Sequence, residues 1–548
     1  MDLQFQLILL WMLKLVGFAE AQIPSACTAV TNKQCCPNDC SGHGTCTDIT
    51  SYASWGSITG PGETIVEKVN MSAEAYGRQD VRFQWPTVLF THVCKCYAPY
   101  GGPDCSDCDF GYEMKGGQCQ RITRVRKNFA ILSEAERSDF IKVVNESKNE
   151  DPSMSQWAVV VQEPDKDDMN VQYVKTATYD FFVYDHFMSA REVNVDNLDG
   201  SSTCPDLCHV DFAHGGPAFL TWHRYYLLLF ERELGRIAER LKSDNRITSN
   251  WNRYNFGLPY WDWGDSDEDL KSFFSAESFG RFEKSAAADR AVVTGNLFDG
   301  NNWPVVCDQH YRFNLDDSTP TISCSQTRNI CNPTTDRTAT NQLERGKFIL
   351  RGRMSTVENR SLPIQSTIQH LFSTNLYDYP CENSATYSTG ASGSSFRNRV
   401  EGYVNLRNES ADNKFEKCGS GFNNFHNRVH LYIHGHMRIV PSASNDPVFY
   451  LHHNNVDRIF EKWLRKYKNS PYMPTTRTAH PGHNADDYLV PFFPLKTNRD
   501  IFKEGTEFGF AYDLMPDAAD KSGGFSVLYP TSLAVIQLES GIEDRSTA

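Results

Sequence analysis

Apolar residues recur at steps of three and four over Phe219, His223, Tyr226, Phe230 and Leu234. That period predicts a helix over 217–241 with His223 on its apolar face, and Pro217 suits the first turn. A second stripe, Phe449, His453, Val456, Phe460, Trp463 and Tyr467, predicts another helix, opened by Asp446 as N-cap and Pro447 in the first position. His452 falls off that stripe, so His453 is read as the inward member of the adjacent pair. A helix over 177–190 puts His186 one turn after Phe182. His426 and His430, four apart, share one helical face. Ser133-Glu134-Ala135-Glu136 is a capping-box pattern opening an amphipathic run to about Asn145. Pro259-Tyr260-Trp261-Asp262-Trp263 reads as buried aromatic packing. Residues 266–400, rich in Ser, Thr and Asn, read mostly as loops, and core structure resumes at 396–404 and 422–434. The tail beyond about 500 carries no clear pattern.

Composition narrows the class. With 548 residues, 40% apolar and 12% aromatic, the chain is globular and long enough for more than one domain. A net charge of −14 argues against a nucleic-acid partner, which selects a basic face. Seventeen cysteines do not suit a reducing cytosol. Residues 3–18 form a short apolar region, and Ala19-Glu20-Ala21 supplies a cleavage site, so 1–21 reads as a signal peptide. Sequons at Asn70, Asn145, Asn359 and Asn408 agree with a secretory route. No other stretch reaches about 18 apolar residues, so no membrane span is expected. Residues 27–119 hold ten cysteines, at 27, 35, 36, 40, 46, 94, 96, 105, 108 and 119. An even count in a loop-rich exported segment reads as a disulfide framework, with a structural zinc site at Cys105-x-x-Cys108 as the alternative. Pieces such as Cys40–Cys46 and Gly101–Cys105 are EGF-like, giving a module over 22–125. Cys204 and Cys208 are close enough to bridge locally.

Of 16 histidines, six fall into two groups on apolar helical faces or beside one: His186, His214 and His223, then His426, His430 and His453. The simplest account is two neighbouring sites, each offering three neutral imidazoles to one metal ion within a helical bundle. Imidazole suits copper, zinc, iron and nickel, and spacing leaves that choice open. His434-Gly435-His436 reads as a turn. His209, His480 and His483 lie in loops. Asp457, one turn after His453, is read as accepting a hydrogen bond from a ligand imidazole, against a surface ion pair with Arg458 or Lys462.

The segments His214-Gly215-Gly216-Pro217-Ala218-Phe219-Leu220-Thr221-Trp222-His223-Arg224, Phe425-His426-Asn427-Arg428-Val429-His430 and Asn445-Asp446-Pro447-Val448-Phe449-Tyr450-Leu451-His452-His453 resemble the two copper motifs of the tyrosinase family. The cysteine-rich module and Ser395–Tyr403 resemble its animal branch, and the likeness runs from about residue 24 to 505. It implies a mainly α fold: a helical-bundle type 3 copper domain over 126–500, behind the EGF-like module and before a tail over 501–548. It implies two copper ions on the six histidines, dioxygen as co-substrate, and small phenols (tyrosine, DOPA, catechols) as substrates. It also implies ortho-hydroxylation of monophenols and oxidation of o-diphenols to quinones that form melanin. Glu401 and Asn427 match a pair holding a water that deprotonates the phenol, the alternative for Glu401 being an ion pair with Arg397 or Arg399. Val440 matches an apolar position near the second copper. The pairing implied by animal members is Cys27–Cys35, Cys36–Cys46, Cys40–Cys94, Cys96–Cys105, Cys108–Cys119 and Cys307–Cys324. Thr221 departs from the family's usual Pro. The C-terminal span of vertebrate members is missing, so the expectation is a soluble protein, secreted or in the lumen of a pigment vesicle.

Some fungal and molluscan relatives carry, two residues before the position of His214, a cysteine cross-linked to the histidine. Phe212 stands there instead and cannot form a thioether. Peptide mapping is expected to find His214 unmodified.

Overall fold

The computed structural model describes residues 18–24, 27, 34–49, 85–86, 89–155, 157–162, 171–190, 211–264, 267–282, 291–294, 297–299, 302–306, 349–351, 362–363, 365–378, 395–407, 414–418, 424–475, 479 and 482–515. Cys204, Cys208, Cys307, Cys324 and the sequons at Asn70, Asn359 and Asn408 lie outside them. Asn145 lies within a helix, where its side chain accepts from Asn149 Nδ2 at 3.1 Å.

The N-terminal module is stapled by disulfides. Its disulfides join Cys27–Cys35, Cys36–Cys46, Cys40–Cys94, Cys96–Cys105 and Cys108–Cys119. Buried Cys40, Cys94 and Cys105 stand where a core would. Strand His92–Cys96 pairs with Gln34–Cys35 and with Gly44–Asp48, and a hairpin joins Tyr112–Lys115 to Gln118–Arg121. The module seats on the helical domain through the Arg236–Asp107 ion pair, Lys496 to Asp109 at 3.0 Å, and Arg232 over the Phe110 ring at 4.0 Å. Strand Phe18–Pro24, which includes the end of the expected leader, pairs with Trp157–Gln162.

The helical domain is built from α1 (Glu134–Asn149), α2 (Thr178–Ala190), α3 (Phe219–Ser243), α4 (Asp267–Phe273), α5 (Gln365–His370), α6 (Phe396–Glu401), α7 (Phe425–Ile433) and α8 (Val448–Lys466). The capping box at Ser133 and Glu136 opens α1. The long helices α3 and α8 lie against one another, with α2 and α7 beside them. The region 266–400, read as mostly loops, carries α4, α5 and a three-stranded sheet of Arg281–Phe282, Ala291–Thr294 and Leu350–Arg351, while α6 falls where core structure was expected to resume. These elements are too short to show a period. No helix among the described residues is long and apolar enough to cross a membrane.

A buried charge network locks α3 to α8. Arg126, fully buried, forks onto Glu231 of α3 at 2.9 and 3.0 Å and reaches Asp457 of α8 at 3.0 Å. Arg224, beside His223, donates to Asp457 at 2.6 Å and to Glu461 at 3.1 Å. Tyr512 donates to Asp457 at 2.7 Å. This corrects two expectations. Asp457 supports no ligand imidazole and forms no surface pair: two guanidinium ions claim its carboxylate, and charge-assisted bonds outcompete a neutral imidazole N–H. Residues just past 500 are part of the domain, since Phe510–Tyr512 forms a parallel pair with Arg124–Arg126 and Ile501, Phe508 and Phe510 are buried.

Removing one partner of a buried ion pair leaves an uncompensated charge, a loss of about 3–5 kcal/mol. Asp457→Ala is expected to destabilise the protein by about that amount, read as a lowered denaturant midpoint; a midpoint within error of wild type would refute the network's role.

Candidate metal centre

Seven imidazoles converge where α2, α3, α7, α8 and the loop 211–218 meet. His186 comes from α2, His223 from the first turn of α3 and His214 from the loop; together they form one group of mutually close ligand atoms. His426, His430, His452 and His453 form the other. Within it, Nε2 atoms lie 2.9 Å (His430 to His426), 3.2 Å (His426 to His453) and 3.3 Å (His430 to His453) apart. The two groups adjoin: the rings of His223 and His453 stack with centroids 4.2 Å apart.

The far side of most rings fixes the tautomer. His186 Nδ1 faces Pro441 O at 3.3 Å, His223 Nδ1 faces Phe219 O at 2.7 Å, and His430 Nδ1 faces Met437 O at 2.6 Å. A carbonyl only accepts, so these Nδ1 atoms carry the protons and each Nε2 presents a lone pair. His214 Nδ1 sits 2.9 Å from an Asp211 carboxylate oxygen, and His426 Nδ1 sits 2.9 Å from Asn427 Oδ1. Buried His186 Nε2 and His223 Nε2 have no hydrogen-bond partner among the described residues. Lone pairs facing one another about 3 Å apart repel unless a cation lies between them, and that separation fits nitrogens about 2.0–2.1 Å from a shared ion. The donor set therefore fits two metal ions.

Electrostatics agree. Burial, helped by neighbouring imidazoles, holds His186, His223, His426 and His453 well below the ordinary histidine range, and burial pushes His430 down to about 3. They are neutral at pH 7, as ligands must be. His214 differs: burial pushes it down, but the Asp211 carboxylate outweighs this and raises it. His186, His223 and His453 are sealed, whereas His214, Asn427 and His430 keep partial exposure, so the centre opens along that edge.

Glu401 ends α6. Gly402 follows it at φ +112°, and a Cβ there would stand 2.1 Å from Asn424 O, so only glycine lets α6 turn directly onto α7. Glu401 accepts from Gly215 N at 2.6 Å and from Arg397 at 2.7 Å, Arg397 being held in turn by Asp378 at 2.7 Å. Burial raises the Glu401 carboxyl, with Arg397 and Gly215 opposing. Asn427, besides holding His426, hydrogen-bonds Tyr403. Val440 stands 44% exposed, one residue before Pro441.

His452 corrects the stripe reading. It is fully buried, its ring stacked on His426 with centroids 5.1 Å apart, and both its nitrogens lack hydrogen-bond partners among the described residues. Helix α8 is enclosed on nearly every side, so its polar positions are buried too and one apolar face does not mark the inside. Sequence reasoning also missed Asp211. An acidic residue three before a candidate ligand was a usable signal. The carbonyls of Pro441 and Met437 had none, because every residue carries one.

Fold and centre define a helical domain with two adjoining histidine clusters, each fit to hold a metal ion. Residues 176–466 match the family profile described as the common central domain of tyrosinase. The chain is 29% identical over 522 residues to a tyrosinase of Pelophylax lessonae, covering 91% of this chain and 82% of the relative. A tyrosinase of Gallus gallus is 28% identical over 515 residues, with 91% and 83% covered. A 5,6-dihydroxyindole-2-carboxylic acid oxidase of Gallus gallus is 28% identical over 514 residues, with 90% and 83% covered. The chain belongs to the tyrosinase family, in its animal branch.

His430→Ala is expected to lower the bound metal of the loaded protein from two ions per chain to one, read by elemental analysis of the dialysed protein. Two retained ions would remove His430 from the ligand set.

Proposed function

We propose that this protein is a copper-dependent oxidase that ortho-hydroxylates monophenols such as tyrosine and oxidises o-diphenols to o-quinones, leading to melanin. The observation that supports it is the pair of adjoining groups of buried or half-buried histidines, one of three and one of four, partly exposed along one edge, in a chain of this family. His186, His214 and His223 would hold one copper; His426, His430 and His453 the other. When bound, the copper pair supplies the redox chemistry with dioxygen.

The chain's own residues supply proton handling. A phenol hydroxyl has a pKa of about 10 and must lose its proton near neutral pH. Glu401 lies beside the loop that carries His214, and burial raises its proton affinity toward that of a phenol. Each carboxylate oxygen has a second lone pair beyond its bond to Gly215 or Arg397. Asn427 holds His426 from the exposed edge and, with Glu401, would keep a water in place. The disulfide-stapled module suits an oxidising compartment, so the protein is assigned to the secretory pathway, secreted or in a pigment vesicle.

A second reading, an oxidase of dihydroxylated substrates without action on tyrosine, is favoured by the equal 28% identity to the avian 5,6-dihydroxyindole-2-carboxylic acid oxidase. Elemental analysis with paired tyrosine and catechol assays separates the readings. Two coppers and turnover of both substrates support the first. Catechol turnover alone supports the second. Zinc would place the protein with tautomerase-like relatives, and reversible oxygen binding without turnover would make it a carrier.

Glu401→Gln is expected to lower tyrosine hydroxylation by about 10²-fold or more while sparing the matching diphenol. The base works ionised, so wild-type hydroxylation falls as pH drops through its raised pKa, and the variant lacks that limb. Equal loss on both substrates would refute the role.

A further inference from the structure

Loop 211–218 carries His214 but has no regular structure of its own to hold it. What holds it is a strap, residues 482–498, that contributes no ligand to either triad. His483, 1% exposed, lies between the two ends of the loop. Its Nε2 donates to Asp211 O at 2.7 Å, and its Nδ1 accepts from Ala218 N at 3.2 Å. A carbonyl acceptor on one nitrogen and an N–H donor on the other define the neutral tautomer protonated at Nε2. The fit is close: a Cβ on Gly216 would stand 2.5 Å from His483 Nδ1, and a Cβ on Gly482 would stand 2.5 Å from the Phe212 ring.

The strap is fixed in turn. Asp487 accepts from Gly482 N and Asn484 N at 3.0 Å each. Asn498, fully buried, donates to Gly482 O and Asn484 O at 2.9 Å each. Thr221, in the first turn of α3 where the family usually has Pro, donates to Asn498 Oδ1. Asp211 thus joins strap to ligand: its carbonyl is held by His483, and its carboxylate binds His214 Nδ1, His214 N and Ala213 N.

We propose that His483 is a positioning residue for the first metal site: it sets Asp211, and through it the His214 imidazole, and so controls occupancy of that site independently of the second. The second triad hangs on α7 and α8, and its Nδ1 partners, Asn427 Oδ1 and Met437 O, lie outside the strap. The inference rests on both triads being metal sites.

The experiment titrates the full-length protein with copper alone, reading copper per chain and the Cu(II) electron paramagnetic resonance signal. An isolated Cu(II) ion gives a signal, whereas two bridged ions couple and are silent. Wild type is expected to bind two coppers; failure to do so would overturn the metal reading itself, not this inference. Residues that orient a metal ligand typically change affinity about 10–100-fold. His483→Asn keeps an acceptor for Ala218 N but no donor reaching Asp211 O. It is expected to weaken one copper of the two by about that factor, leaving one copper per chain and an isolated-copper signal. His483→Gln carries an amide N–H near the Nε2 position and is expected to restore two coppers and silence. A purely structural role would lower the melting temperature and leave stoichiometry at two, or lose both coppers together. Either result, or identical behaviour of the Asn and Gln variants, would overturn the proposal.

Discussion

The pairing of two buried guanidinium ions with three carboxylates between α3 and α8 is the constraint on which the metal centre depends. Arg126 and Arg224 are fully buried, so Glu231, Asp457 and Glu461 must meet them in fixed geometry. Arg224 immediately follows His223, and Asp457 lies one turn beyond His453. Any axial slip of one helix against the other would unpair these charges, so His223 and His453 are held in stacking contact. Arg126 and Tyr512 extend the same network to the strand behind the cysteine-rich module and to the strand near the end of the described chain.

Within that frame the centre is organised by what its histidines do with their second nitrogen. Binding the Nδ1 of His186, His214, His223, His426 and His430 to a fixed acceptor turns the free lone pair inward before any ion arrives. The unmet cost of those inward lone pairs raises the affinity for a cation, because burial has removed the water that would otherwise satisfy them. The first site leans on loop geometry through Asp211, the second on two helices and a turn. That difference makes the first site the one exposed to changes elsewhere in the chain.

The cysteine-rich module follows another logic. It is closed covalently by five disulfides and docks by charge and ring contacts with α3. Helix α3 therefore faces the metal centre with His223 near its start, the charge network with Arg224 and Glu231, and the module with Arg232 and Arg236.

The long helices and their histidines were legible in the sequence, because a helix longer than two turns repeats its burial every three to four residues and so writes its face into the chain. Ser133 and Glu136 were legible for a similar reason, since a capping box is a purely local bond. Asp457 was not. Its spacing from His453 fitted a ligand's hydrogen-bond partner, yet its charge was claimed by arginines 233 and 331 positions away. His452 was misplaced because enclosure of α8 on all sides is a property of its neighbours. Asp211 could be suspected from adjacency, but the grip of His483 on its carbonyl joins positions 272 apart. Sequence by itself determined which long helices carry the clustered histidines, because a helix's burial rests on local periodicity. Tertiary structure alone decided which carboxylate orients a ligand and which locks a helix pair, because a buried charge binds whatever opposite charge the fold brings nearest.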